Sequence, residues 1–175
     1  MDHAKPAQLA AILYEDAATV EALMQRFAEA LQAAGVDVCG VIQLPPTAAG
    51  CGPEAPMCLR DLRSGAVTRI CQDLGRDATG CRLDTAAMAA VAARLRQQAE
   101  TPSDIIFISK FGKQEAAGAG FRDEIAHAVQ EGRTVITAVK HSLLPDWLQF
   151  TGGIGTVLEA QPWVLQDWWR RLRDG

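Results

Sequence analysis

At 175 residues, 49% hydrophobic and 22% charged, the chain has the length of one ordinary soluble domain. Its apolar content excludes a disordered chain, and its size excludes a mini-protein that folds only on disulfides or a metal. A net charge of −4 argues against a general nucleic-acid or anionic-membrane binder, which would carry a basic surface.

The chain begins on Met1–Pro6, which has neither the apolar core nor the cleavage pattern of a signal peptide, and no later run reaches the roughly 18 apolar residues of a membrane span. A cytoplasmic protein is expected. Leu9–Tyr14 (LAAILY) is an apolar run of buried-strand length. Asp16 can cap a helix in which Val20, Leu23, Met24, Phe27 and Leu31 recur at helical spacing, and Gly35 is placed to stop it. Val36–Gln43 is the next strand, so the segment reads as a βαβ unit with parallel strands.

Residues 44–56, rich in proline, form a long loop. Met57–Leu62 and Ala66–Gln72 flank Arg63-Ser64-Gly65 as an antiparallel hairpin, and residues 73–83 form a second, Gly-containing loop. Asp84 caps a helix running to about Gln98, with Met88, Val91 and Leu95 inward. Asp104–Ser109 is the most strand-like run in the chain, and the loop Lys110–Gly120 leads into a helix from Phe121 to Glu131. Arg133–Val139 is another buried strand, Leu143–Phe150 is helical around Trp147, and Thr156–Leu158 is a short last strand. A terminal Trp-rich helix, 162–173, starts at Pro162. Four or five parallel strands alternating with helices predict a single α/β domain over 1–175, three-layered and mostly parallel, with the antiparallel hairpin added.

The five cysteines, at 39, 51, 58, 71 and 81, are odd in number and contain no Cys-x-x-Cys pair. His3, His127 and His141 are not spaced to complete a zinc set with them. Cys39 reads as a buried thiol; the other four, in or near the polar middle of the chain, could form a cluster of soft ligands.

In open α/β sheets ligands bind beyond the carboxyl ends of the strands. The chain has 13 arginines and only 4 lysines, yet Lys110, Lys113 and Lys140 all fall just after a predicted strand. In SKFGKQEAAGAGFRDEI, Lys110 and Lys113 flank a glycine, and Gly118 and Gly120 precede a helix whose first turn carries Arg122. Glycines let backbone amides approach a ligand, and a helix start favours negative charge, so the segment suits an anion; a solvated lysine loop is the simpler alternative. Gly80-Cys81-Arg82-Leu83-Asp84 sets a thiol beside a guanidinium at a helix start, where the thiol is activated, unless it is only a capped helix with an incidental cysteine. No Gly-x-x-x-x-Gly-Lys-Ser/Thr, Gly-x-Ser-x-Gly or His-Glu-x-x-His motif occurs, and the turn after the first strand reads Tyr14-Glu15-Asp16, acidic and without glycine.

The succession LAAILYEDAATVEALMQRFAEALQAAGVDVCGVIQ, CLRDLRSG, GCRLD and ISKFGKQEAAGAGFRDEIAHAV resembles, over nearly the whole chain, a bacterial domain-of-unknown-function family often encoded beside molybdate-transport genes. That family is similar in element order to small P-loop nucleoside triphosphatases, which implies a P-loop-like, Rossmann-like sheet. In those enzymes a strand ends in Asp-Glu-x-Gly-Lys, whose acids serve magnesium and water; here Ser109-Lys110-Phe111-Gly112-Lys113 stands in that place. Exchanging a metal-binding acid for lysine reverses the charge and removes the metal clamp of hydrolysis.

A non-hydrolytic domain is therefore expected, holding a small oxyanion directly. The resemblance implies molybdate or tungstate, and a molybdate-transport or cofactor-pathway protein as partner, with a homodimer as a further candidate assembly. The expected binding residues are Cys81, Arg82, Lys110, Lys113, Glu115, Gly118, Gly120, Phe121 and Arg122, with the amides of Gly118–Phe121 flooring the pocket. The alternatives are a divergent nucleotide-binding phosphohydrolase using Glu115 and an adaptor that docks through Trp163, Trp168 and Trp169.

Overall fold

The computed structural model describes residues 8–45, 57–72 and 82–175, the side chains of Gln72 and Arg82 excepted. Strand β1 is Leu9–Tyr14, and its alternation sends Ala10 and Ile12 to one face of the sheet and Leu9 and Ala11 to the other. Helix α1, Ala17–Ala33, starts where the Asp16 carboxylate accepts the Thr19 amide at 2.9 Å, and it ends at Gly35, which takes the left-handed φ of 80° that such a stop requires. Strand β2 is Val38–Leu44.

Strands β3, Cys58–Asp61, and β4, Val67–Arg69, extend the sheet antiparallel from β2, as the hairpin reading expects. The second hairpin arm does not run on to Gln72. Cys71–Gln72 is a separate strand β5, paired with β6, Arg82–Leu83, so residues 82–83 are strand rather than loop. Ile70 makes the break: its amide bonds the Met57 carbonyl, and its own carbonyl accepts from Asp84. The rest of both expected loops lies outside the described residues.

Helix α2, Thr85–Glu100, is capped by Asp84, and β7 is Ile105–Ile108. Between β7 and helix α4, Arg122–Gln130, the expected loop contains a single-turn helix α3, Lys113–Ala116. Strand β8, Val135–Lys140, is followed by one 3-10 turn and α5, Leu144–Thr151; β9, Thr156–Glu159, and α6, Pro162–Asp174, complete the chain.

The large sheet has the order β4-β3-β2-β7-β8-β1-β9, in which the five strands from β2 to β9 are parallel. Helices α1 and α6 cover one face, burying Phe27, Leu165 and Trp168; α2, α4 and α5 cover the other, burying Val91, Ile125 and Trp147. This three-layer, mostly parallel arrangement is the expected class and is consistent with a P-loop-like fold. Because β1 returns between β8 and β9, its crossover through α1 spans β8 and β7 to reach β2. That route lays the start of α1 over the carboxyl ends of the central strands.

Cys39 is the buried thiol expected, and burial pushes its pKa up. Cys58 and Cys71 are disulfide-bonded, which removes them from any soft-ligand cluster. Of the tryptophans named for the adaptor alternative, Trp168 is buried and Trp169 half-buried, whereas Trp163 is 66% exposed.

Gly40 locks β2 in place. Its φ is 99°, its amide donates to Gln98 Oε1 of α2 at 2.6 Å, and a Cβ there would collide with the Phe107 carbonyl of β7. Gly40→Ala is expected to cost at least about 2 kcal/mol in denaturant unfolding, through backbone strain and a broken sheet contact. Gly35→Ala, with open space around the added methyl, should show only the left-handed penalty of about 1–2 kcal/mol. Equal losses in the two variants would contradict this packing.

Candidate functional site

A pocket of about 210 Å³ opens at the carboxyl edge of the sheet. Tyr14 ends β1, Gln43 lies near the end of β2, and Ser109 and Lys110 follow β7; Lys113 and Phe121 close the pocket from the α3 segment. The volume is several times the roughly 30 Å³ share of one water, enough for a tetrahedral oxyanion and some hydration.

Ser109 is buried, and its Oγ, itself closed to solvent, has no hydrogen-bond partner among the described residues. A buried hydroxyl without a partner costs about 1–3 kcal/mol, so the position stores a demand that a ligand can meet. Lys110 is half-buried and reaches back over β8: its Nζ lies 2.8 Å from Glu21 Oε1 and 5.6 Å from the centre of the Tyr14 ring. Glu21 comes from the inner face of α1 and is buried. One ammonium proton is thereby engaged, leaving the others for the pocket. Burial raises the Tyr14 pKa, and the carboxylates of Glu21 and Glu115 raise it further. Lys113 is exposed and forms no ion pair among the described residues, so it is the surplus cation of the site.

Glu115 has a different task from the one expected. It is buried; Oε2 accepts the Gly112 amide at 2.9 Å and Oε1 the Phe121 amide at 3.0 Å. One carboxylate thus staples both ends of the α3 segment, and Gly120 must lack a Cβ because one would strike that carboxylate. The amides expected to floor an anion site are largely engaged inside the loop: Gly118 donates to Glu115 O, Ala119 to Gln114 O and Phe121 to the Glu115 carboxylate. Arg122 is also turned elsewhere, donating to Glu115 O at 3.3 Å and stacking 4.8 Å from the centre of the Phe150 ring.

Where β1 meets α1, the place a phosphate loop would take, the helix start is closed by its own carboxylate. Asp16 accepts both the amide and the hydroxyl of Thr19, and these bonds hold its pKa below the ordinary carboxylate value. A folded pKa below the unfolded one means that the cap stabilises above the ordinary Asp value of about 3.9 and is lost as pH falls through the lowered value. At neutral pH a negative charge therefore sits where a P-loop protein receives phosphate.

Of the expected site residues, Lys110, Lys113, Glu115 and Phe121 line the pocket, and Gly120 lines an adjoining groove. Gly118 and Arg122 line neither. Cys81 and the Arg82 side chain lie outside the described residues, although Leu83, the next residue, does line the pocket. Lys140, at the end of β8, shares the edge but not the pocket. Sequence reasoning missed Glu21 as the partner of Lys110. Its signal was a charge at position 21 in register with the buried Met24, Ala28 and Leu31 of α1.

The model of the family described as protein of unknown function (DUF2478) matches residues 9–168, and the chain belongs to that family. The chain is also 40% identical over 165 residues to the molybdenum import ATP-binding protein ModC 2 of Bradyrhizobium diazoefficiens. That match takes in 94% of this chain but spans only 18% of the relative's length. No solved structure matches the chain.

Glu115→Gln tests the staple. The amide retains one acceptor oxygen and turns an NH2 toward the Gly112 or the Phe121 amide. A loss of about 1–3 kcal/mol in denaturant unfolding is expected. Unchanged stability would contradict the structural role.

Proposed function

We propose that this member of the family is a non-hydrolytic, P-loop-like domain that holds a small oxyanion at the carboxyl edge of its sheet, with molybdate and tungstate as first candidates. The observation that carries the reading is the meeting of Lys110 and Lys113 in one pocket with Ser109, whose hydroxyl has no partner among the described residues. An oxyanion accepts hydrogen bonds only, and the pocket offers it a hydroxyl, two ammonium groups and the Gln43 amide. Arg82, in β6, and Cys81, which precedes it in the sequence, remain proposed members of the site.

The choice of molybdate and tungstate is supported by the relative's name. Because the match spans 18% of that protein, ATP binding and import belong to the relative as a whole. A molybdate-transport or cofactor-pathway partner and a cytoplasmic location go with the reading. The alternative, a nucleotide phosphohydrolase with Glu115 as base, has less support: both Glu115 oxygens are bonded to backbone amides, and Asp16 closes the start of α1 to phosphate.

Calorimetric titration with molybdate, tungstate, sulfate and phosphate tests the proposal. Each charge-assisted bond contributes about 1.5–3 kcal/mol, so Lys113→Ala should weaken the preferred anion about 10- to 100-fold without unfolding the domain. Ser109→Ala should weaken binding while leaving the unliganded protein at least as stable, because it deletes an unsatisfied hydroxyl. Absence of binding to all four anions, or undiminished binding by Lys113→Ala, would overturn the reading.

A further inference from the structure

The oxyanion pocket does not end at its polar lining. It adjoins a groove of about 580 Å³ between α2 and the α3–α4 segment. Leu83, Met88 and Gln114 line both spaces, so the two form one continuous depression. The groove differs from the pocket in charge rather than in apolar character, since Met57, Leu59, Ile70 and Phe121 line the pocket as well. Ala89 and Ala92 on the α2 side face Ala119 and Gly120 on the other, and Met88 lies at the junction. The thioether of Met88 favours contact with an aromatic ring. Among the described residues, the side chains that line the groove carry no charge.

Resting on the oxyanion reading, we propose that the same depression also accepts an organic oxyanion: a flat, apolar ring system bearing one terminal tetrahedral oxyanion group. The anionic head would occupy the pocket with Ser109, Lys110 and Lys113, and the ring would lie in the groove against Met88, Ala89 and Ala92. Two features favour this occupant. The groove shares its lining with the pocket that holds Lys110 and Lys113, so a molecule filling one end is positioned to fill the other. An uncharged floor joined to a cationic end also matches an apolar body with an anionic terminus, which no inorganic oxyanion supplies. Gln114, at the junction, can bond either the bridging oxygen of an ester or a polar edge of the ring.

Naphthyl phosphate and inorganic phosphate are suitable probes, titrated by calorimetry alongside molybdate. The unmodified protein should bind naphthyl phosphate at least tenfold more tightly than inorganic phosphate. Ala89→Trp fills the groove from an exposed position of α2 that does not line the anion pocket. It should erase that advantage and leave inorganic phosphate and molybdate unchanged. Equal affinity of the unmodified protein for naphthyl phosphate and phosphate would overturn the inference, as would an aryl advantage that survives Ala89→Trp. Binding of the inorganic anions without an aryl advantage defeats this inference and spares the oxyanion reading. No binding of any probe defeats both.

Discussion

The ion pair between Glu21 and Lys110 holds the carboxyl edge of this domain together. Its partners are 5% and 13% exposed and 2.8 Å apart, and they join the first helix to the end of β7 across the intervening strand β8. Burying two charges is costly, and removing one partner of such a pair leaves an uncompensated charge worth about 3–5 kcal/mol. The pair therefore ties the position of α1 to the segment after β7. It also sets the electrostatics of the pocket: Lys110 is neutralised from behind, so a ligand meets a polarised ammonium and one surplus cation, Lys113, rather than two bare lysines.

A P-loop-like sheet ordinarily meets its ligand at the turn from its first strand into its first helix. Here three local features change that use. The turn is acidic, the helix start is capped by Asp16, and the side chain reaching over from β7 is a lysine matched by a glutamate on α1. Each follows from ordinary chemistry, and together they make the α1 start unfavourable for an anion. The Glu115 staple then makes the α3 segment a rigid wall of the site rather than a loop that wraps its ligand. In the molybdenum import ATP-binding protein ModC 2 of Bradyrhizobium diazoefficiens the matching region is 18% of a longer protein.

Much of the architecture was legible because it is written in local pattern. The LAAILY run is strand β1 at both ends, and Asp16 and Asp84 cap the helices they precede, since a short acceptor before an apolar repeat has few other uses. The parallel strands followed from apolar runs separated by crossover helices. The site was less legible because its decisive contacts join residues distant in sequence. Glu21 and Lys110 are 89 residues apart, and nothing local marks them as a pair. Glu115 looked like a free carboxylate in a glycine-rich loop; only the folded backbone brings the Gly112 and Phe121 amides to its two oxygens. The β5–β6 ribbon depends on Ile70 bonding in two directions at once, which no propensity encodes.

The central claim is that the carboxyl-edge pocket receives an oxyanion directly on Ser109, Lys110 and Lys113. Anomalous diffraction from a tungstate-soaked crystal tests it most directly, because the heavy atom reports its own position. The account predicts an anomalous peak in the pocket within hydrogen-bonding distance of Ser109 Oγ and Lys110 Nζ. A peak at the start of α1 beside Asp16, or an empty pocket at saturating tungstate, would contradict it.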